Sequence, residues 1–276
     1  MEVILAEHLG FCYGVKRAIE IARENASSDG TSSTLGPIIH NPQMVERLKN
    51  EGVGTVRSLE EMKDGLIIIR SHGVGPKIYE EADSRGLELV DATCPHVKKA
   101  QLSAKLLSEE GYTVVIVGEK NHPEVKSIFE WTAHGAHIIE TEEEANALPQ
   151  IGKMGIVSQT TFSGDRFRSI VSCLLKKSRE IKILRTICTA TDLRQEAALA
   201  LAEKVDMMLV IGGKNSANTT RLAQLCAEKC KTYHIETVAE LQDEWMNHVN
   251  KIGITAGAST PDWIIKEVYK QCQSRA

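Results

Sequence analysis

Short apolar runs of strand length alternate along this chain with segments whose apolar residues fall on one helical face. Val3–Ala6, Leu66–Arg70, Leu87–Val90, Thr113–Val117, Lys153–Val157, Met207–Ile211 and Ile252–Thr255 read as strands. In Val15–Arg23 the residues Val15, Ala18, Ile19 and Ala22 stand at i, i+3, i+4 and i+7, one face of a helix. Lys98–Glu109, Phe167–Lys177, Leu193–Lys204, Thr220–Lys229 and Trp263–Gln271 follow the same rule. Strands alternating with helices predict βαβ units and mainly parallel sheets. At 276 residues there is room for one large α/β unit or two to three small ones. No Pro/Ser-rich linker divides the chain, so any domains are expected to pack closely.

The same composition excludes several classes. With 33 basic and 37 acidic residues the net charge is −4, and aromatics are only 4%. Neither a broad positive field nor a base-stacking surface is expected, which speaks against nucleic acid as a partner. The longest apolar runs are about strand length, far short of the roughly 20 residues a spanning helix needs. The N-terminus opens into Val3-Ile4-Leu5-Ala6 without the charged and apolar regions of a signal peptide. A cytoplasmic location is expected.

Seven cysteines in such a chain point to thiols, metal or catalysis rather than a disulfide framework. Cys226 and Cys230, spaced i, i+4 in a helical pattern, read as packing residues, as do Cys173 and Cys272. Cys12, Cys94 and Cys188 differ. They are 82 and 94 residues apart, and each stands just past an extended segment and just ahead of a helix. For Cys188 the extended segment is Ile183–Ile187, and Asp192 is the expected N-cap of the helix from Leu193. Three α/β units, each offering one thiol at a strand's carboxyl end, make a pseudo-threefold arrangement. The divisions would fall at 13–94, 95–188 and 189–276, the last completed by residues 1–12. The thiolate is the metal-binding form, and a helix start favours negative charge. Three thiolates leave one coordination position open, the design of a catalytic centre. Zinc with an activated water and an iron–sulfur cluster with one available iron both fit this spacing.

Three histidines sit in turns after apolar stretches: His40 before Asn41-Pro42, His72 before Gly73, and His122 before Pro123-Glu124. Together they could balance the charge of a bound diphosphate. Gly212-Gly213-Lys214-Asn215-Ser216-Ala217-Asn218 and Gly257-Ala258-Ser259-Thr260-Pro261-Asp262 each follow a strand and precede a helix, where backbone amides make an anion site. Neither matches a nucleotide-binding glycine motif. Glu124, two residues past His122, could deliver a proton. The acidic run Glu140, Glu142, Glu143 and Glu144 reads as a solvated helix start.

Taken in order, Gly10-Phe11-Cys12-Tyr13-Gly14-Val15, Asp91-Ala92-Thr93-Cys94-Pro95, Gly118 through Asn121-His122-Pro123-Glu124, Ser158-Gln159-Thr160-Thr161, Lys214-Asn215-Ser216 with Asn218, and Thr255-Ala256-Gly257-Ala258-Ser259 resemble the IspH (LytB) family. Its members are 4-hydroxy-3-methylbut-2-enyl diphosphate reductases of non-mevalonate isoprenoid biosynthesis. The resemblance runs from residue 3 to about residue 270. It implies a trefoil of three α/β domains around a [4Fe–4S] cluster held by Cys12, Cys94 and Cys188. An iron not bound by cysteine would take the allylic hydroxyl as a Lewis acid and help pass two electrons to the substrate. By motif, Glu124 would be the proton donor, with Thr160 in a relay. His40, His72, His122, Ser216, Asn218 and Ser259 would hold the diphosphate, and Thr191 is a weaker candidate. A low-potential ferredoxin or flavodoxin is the implied electron donor.

Ala217 departs from the pattern, standing where a second serine is common. Its backbone N–H remains, so substrate binding is expected to survive, at a loss of roughly 0.5–1.5 kcal/mol. Two other readings compete: a zinc hydrolase using the same thiolates with Glu124 as base, and a phosphometabolite-binding protein whose cysteines only pack.

Overall fold

The computed structural model describes residues 1–28 and 31–275. The chain opens with β1 (Glu2–Leu5) and α1 (Tyr13–Glu24), then runs β2 (Ser32–Leu35), α2 (Pro42–Asn50), β3 (Gly54–Val56), β4 (Leu66–Ile69), α3 (Pro76–Ser84) and β5 (Glu88–Asp91). Helix α4 (Pro95–Glu109) leads into β6 (Thr113–Val117), α5 (Pro123–Glu130), β7 (Ala136–Ile139), α6 (Glu142–Ala147), β8 (Ile151–Ser158), α7 (Gly164–Leu174) and β9 (Ser178–Ile183). Then come α8 (Thr189–Ala202), β10 (Met207–Ile211), α9 (Ala217–Ala227), β11 (Lys231–Ile235), β12 (Lys251–Ala256) and α10 (Asp262–Ser274).

The strands form three four-stranded sheets, ordered β1-β12-β10-β11, β3-β2-β4-β5 and β7-β6-β8-β9, and every strand pair in them is parallel. The α/β fold class is the one that the alternating pattern requires.

Contacts divide the chain into two compact units. The first unit is Met1–Lys16, Ile39–Arg47 and Thr189–Ala276, and it holds the sheet led by β1. Residues of β10 alternate between two cores: Met207, Leu209 and Ile211 pack with Ile264, Ile265 and Val268 of α10, while Met208 and Val210 pack with Ala198 and Leu201 of α8. The second unit is Arg17–Ile38 and Leu48–Cys188, and it holds the other two sheets. There Val115 and Val117 of β6 face Phe167, Ile170 and Leu174 of α7, and Val114 and Ile116 face Ala100, Ala104 and Leu107 of α4. A parallel strand covered by helices on both faces is apolar at every position, so these runs show no polar alternation. Each such side chain contributes roughly 1.5–3 kcal/mol when fully buried. Among the described residues no helix is long and apolar enough to cross a membrane.

Two expectations need correction around Cys188. Strand β9 ends at Ile183, so residues 184–187 lie beyond the strand, although the Leu184 N–H still donates to Ile156 O at 2.8 Å. Helix α8 begins at Thr189, which puts Asp192 inside its first turn rather than at its N-cap. The physical reason is that Thr189 and Ala190 lack any breaker, and Asp192 favours the first turn electrostatically as well as it would a cap. The acidic run does begin a helix: Thr141 caps α6 through its hydroxyl, and Glu142, Glu143 and Glu144 fill the first turn.

Candidate functional site

Each of the three singled-out cysteines is the residue immediately before a helix: Cys12 before α1, Cys94 before α4, and Cys188 before α8. All three are partly exposed, and none of the seven cysteines is in a disulfide. The others sit differently. Cys226 and Cys272 are fully buried, and burial pushes their thiols up to about 12 and about 11. Burial raises Cys230 as well. A thiol held neutral is a poor ligand, which counts against Cys226, Cys230 and Cys272 as metal donors. Three thiols at helix starts suit a metal or cluster that accepts three protein ligands.

In the second unit a chain of hydrogen bonds joins two of these cysteines to the polar residues picked from sequence. The Cys94 N–H donates to Ser71 O at 3.0 Å, next to His72. Ser127 Oγ lies 2.9 Å from His72 O and 2.8 Å from Glu124 O. Thr160 grips the Glu124 carboxyl twice, its N–H reaching Oε1 at 2.5 Å and its hydroxyl reaching Oε2 at 2.9 Å. The Cys188 N–H then donates to Thr160 O at 2.9 Å. His122 caps α5, its Nδ1 accepting from the Glu124 N–H at 3.2 Å. That bond leaves the neutral ring's proton on Nε2. The His72 and His122 rings meet edge to face with centroids 5.5 Å apart.

Glu124 is 2% exposed, and burial raises its pKa to about 7. The two hydrogen bonds from Thr160 oppose that rise, and the charge of Glu119 adds to it. A carboxyl balanced near neutrality can both hold and release a proton under ordinary conditions.

The first unit assembles the remaining residues. The Cys12 N–H donates to Ala258 O at 3.2 Å, and the adjoining Ser259 hydroxyl donates to His40 O at 3.2 Å. Ser216 is the N-cap of α9, with Ala217 and Asn218 in the first turn. Asn218 is 9% exposed, yet its Nδ2 has no hydrogen-bond partner. A buried amide donor left unpaired at a helix start is suited to an anion. Gly257 is needed here because a Cβ would collide with the Thr219 hydroxyl. Lys214 plays no such part: its ammonium is paired with Glu240, and its N–H donates to Glu236 at 2.6 Å. Thr191 is buried in the first turn of α8.

Ser127 is the residue that sequence reasoning missed. A serine within a helix looks like any other, and only the fold shows that it ties His72 to Glu124.

The fold and these groups define a parallel α/β protein with three thiols at helix starts, a buried carboxyl whose pKa is raised to about 7 and an unpaired amide donor at a helix start. A family model for LytB protein matches residues 3–273, and the chain belongs to that family. It is 51% identical over 274 residues to a 4-hydroxy-3-methylbut-2-enyl diphosphate reductase of Geobacter sulfurreducens, covering 99% of this chain and 97% of that one. The corresponding reductase of Geobacter metallireducens is 52% identical over 272 residues, with 98% and 96% covered. Among solved structures, the E-1-hydroxy-2-methyl-but-2-enyl-4-diphosphate reductase of Plasmodium falciparum matches with a TM-score of 0.92 at 32% identity, over 99% of this chain and 87% of that one. A solved (E)-4-hydroxy-3-methyl-but-2-enyl diphosphate reductase, described as the terminal enzyme of the non-mevalonate pathway, matches at 48% identity with a TM-score of 0.74, covering 99% and 100%.

Proposed function

We propose that this chain reduces 4-hydroxy-3-methylbut-2-enyl diphosphate, the reaction its relatives are named for. The allylic C–O bond breaks, two electrons and two protons enter, and water leaves with isopentenyl or dimethylallyl diphosphate. The observation that carries this reading is the hydrogen-bonded run Cys94–Ser71, His72–Ser127–Glu124–Thr160–Cys188. It fixes a proton-holding carboxyl on the same backbone frame as two thiols and an imidazole.

Cys12, Cys94 and Cys188 would hold a [4Fe–4S] cluster, which when bound supplies the electrons and a Lewis-acidic iron. The chain's own residues do the rest. Glu124 holds a proton on its carboxyl and gives it up toward the reacting carbon chain or the departing hydroxyl. Thr160, donating to both carboxyl oxygens, fixes that group's orientation and offers a hydroxyl through which the proton can pass. His40, His72 and His122 meet the diphosphate charge, with His122 presenting Nε2–H. Ser216, Asn218, Ser259 and the backbone amide of Ala217 supply neutral donors. The divisions 13–94, 95–188 and 189–276 with 1–12 belong to the same proposal, supported by each sheet drawing its strands from one of those stretches. A low-potential ferredoxin or flavodoxin would be the electron donor, and the location cytosolic.

The test is conversion of the substrate by protein purified without oxygen and supplied with reduced methyl viologen. Isopentenyl and dimethylallyl diphosphate are the expected products. Hydrolysis to free diphosphate, or no conversion by iron-replete protein, would overturn the reading.

A further inference from the structure

The second unit has a cavity of about 240 Å³, lined by both apolar and charged side chains, at the carboxyl edge of the β3-β2-β4-β5 sheet. Leu35 of β2 stands in register with Val56 of β3 and Ile69 of β4. The next residues along the three strands, Gly36, Arg57 and Arg70, therefore come abreast, and all three line the cavity. The carboxyl edge of a parallel sheet is where α/β proteins take ligands. Gly36 has φ +73° and a Cβ there would meet Arg70 Nη1 at 2.5 Å, so the middle strand is kept bare for the guanidinium.

Charge and hydrogen bonding both suggest an anion. Arg57, Arg70 and Lys126 are the cations of the lining, and Glu130 is its one carboxylate. Arg70 Nε is buried with no hydrogen-bond partner. An orphaned guanidinium N–H is expensive to bury, and a ligand oxygen would satisfy it. The Glu130 charge and the burial of Arg70 act on that guanidinium in opposite directions, so the existing carboxylate compensates only in part. Neither His72 nor His122 lines this cavity, although it abuts the turns that follow them, at Gly73 and Pro123.

We propose that Arg57, Arg70 and Lys126 form a binding site for a tetrahedral oxyanion of phosphate type, separate from the diphosphate site. A planar guanidinium matches phosphate oxygens pairwise, and three cations against one carboxylate favour a dianion. The volume is below that of pockets for drug-sized ligands, which limits the occupant to inorganic phosphate or a small phosphate monoester. The inference does not depend on the reductase reading.

Calorimetric titration of the full chain with inorganic phosphate at constant ionic strength tests it. Wild type should bind saturably, Arg70→Met should bind roughly tenfold more weakly, and Glu130→Gln should bind more tightly because a competing charge is gone. Arg70→Lys should retain part of the affinity. Glu130 is exposed, so its variant keeps the test alive if Arg70→Met fails to fold. Methyl phosphate separates the sources: binding equal to phosphate assigns the site to esters, and rejection with phosphate still bound assigns it to the inorganic ion. No saturable binding by wild type, or binding that Arg70→Met and Glu130→Gln leave unchanged, overturns the proposal.

Discussion

Glu124 carries two predictions whose signs follow from its burial. Its pKa in the folded chain is raised to about 7 from an ordinary 4.5, so the folded state holds the proton more tightly than the unfolded state does. The resulting stabilisation is full below the unfolded value and is lost as pH rises towards 7. Glu124→Gln should therefore gain stability relative to wild type between about pH 5 and about pH 8, by up to roughly 3 kcal/mol. Denaturant midpoints at the two pH values check this, and a pH-independent difference would contradict it. Turnover should behave in the complementary way. The protonated acid is depleted above pH 7, so kcat should fall there, and Glu124→Gln should lose a factor on the order of 10²–10⁴ while still binding substrate. For the histidines, alanine at His40, His72 or His122 should weaken diphosphate binding by roughly tenfold each. An unchanged Kd in all three variants would refute their role. Glu124 could be picked from the sequence as a carboxylate two residues past a turn histidine. Its pairing with Thr160, 36 residues away, has no local trace and became visible only in the fold.

At the level of elements, what was legible was what is apolar. Thr113–Val117 and Met207–Ile211 are observed with the bounds read from sequence, because burial on both faces leaves an unbroken apolar run. Strand β2, Ser32–Leu35, was not legible, although all four of its residues are buried. Two of its three hydroxyls are satisfied internally: Ser32 Oγ donates to Asn25 O at 2.5 Å and Thr34 Oγ1 to Gly54 O at 3.3 Å. A strand that hides its polarity in this way reads as a loop. β3, Gly54–Val56, is too short to show a period at all. The three cysteines were legible as a pattern of context, and the fold sharpens it to one rule, the residue before a helix. Gly257 gives a test at this scale. Since a Cβ there collides with Thr219 in the first turn of α9, Gly257→Ala should displace the proposed anion-binding turn. KM should rise by roughly tenfold with kcat less affected, whereas an unchanged KM would mean that the turn is not part of the site.

Over the whole molecule, the sheets do not distinguish a reductase from a hydrolase or a binding protein, since one architecture carries many functions. What would separate these readings is whether Cys12, Cys94 and Cys188 hold a group, and which one. The four other cysteines supply an internal control, because they lie within or beside helices and strands away from any helix start. Iron, sulfide and zinc content should be measured on protein purified without oxygen, for wild type and for Cys12→Ser, Cys94→Ser, Cys188→Ser and Cys272→Ser. The account predicts about four irons and four sulfides per chain in wild type and in Cys272→Ser, and their loss from the other three. Stoichiometric zinc without sulfide, or a cluster that survives all three substitutions, would contradict it.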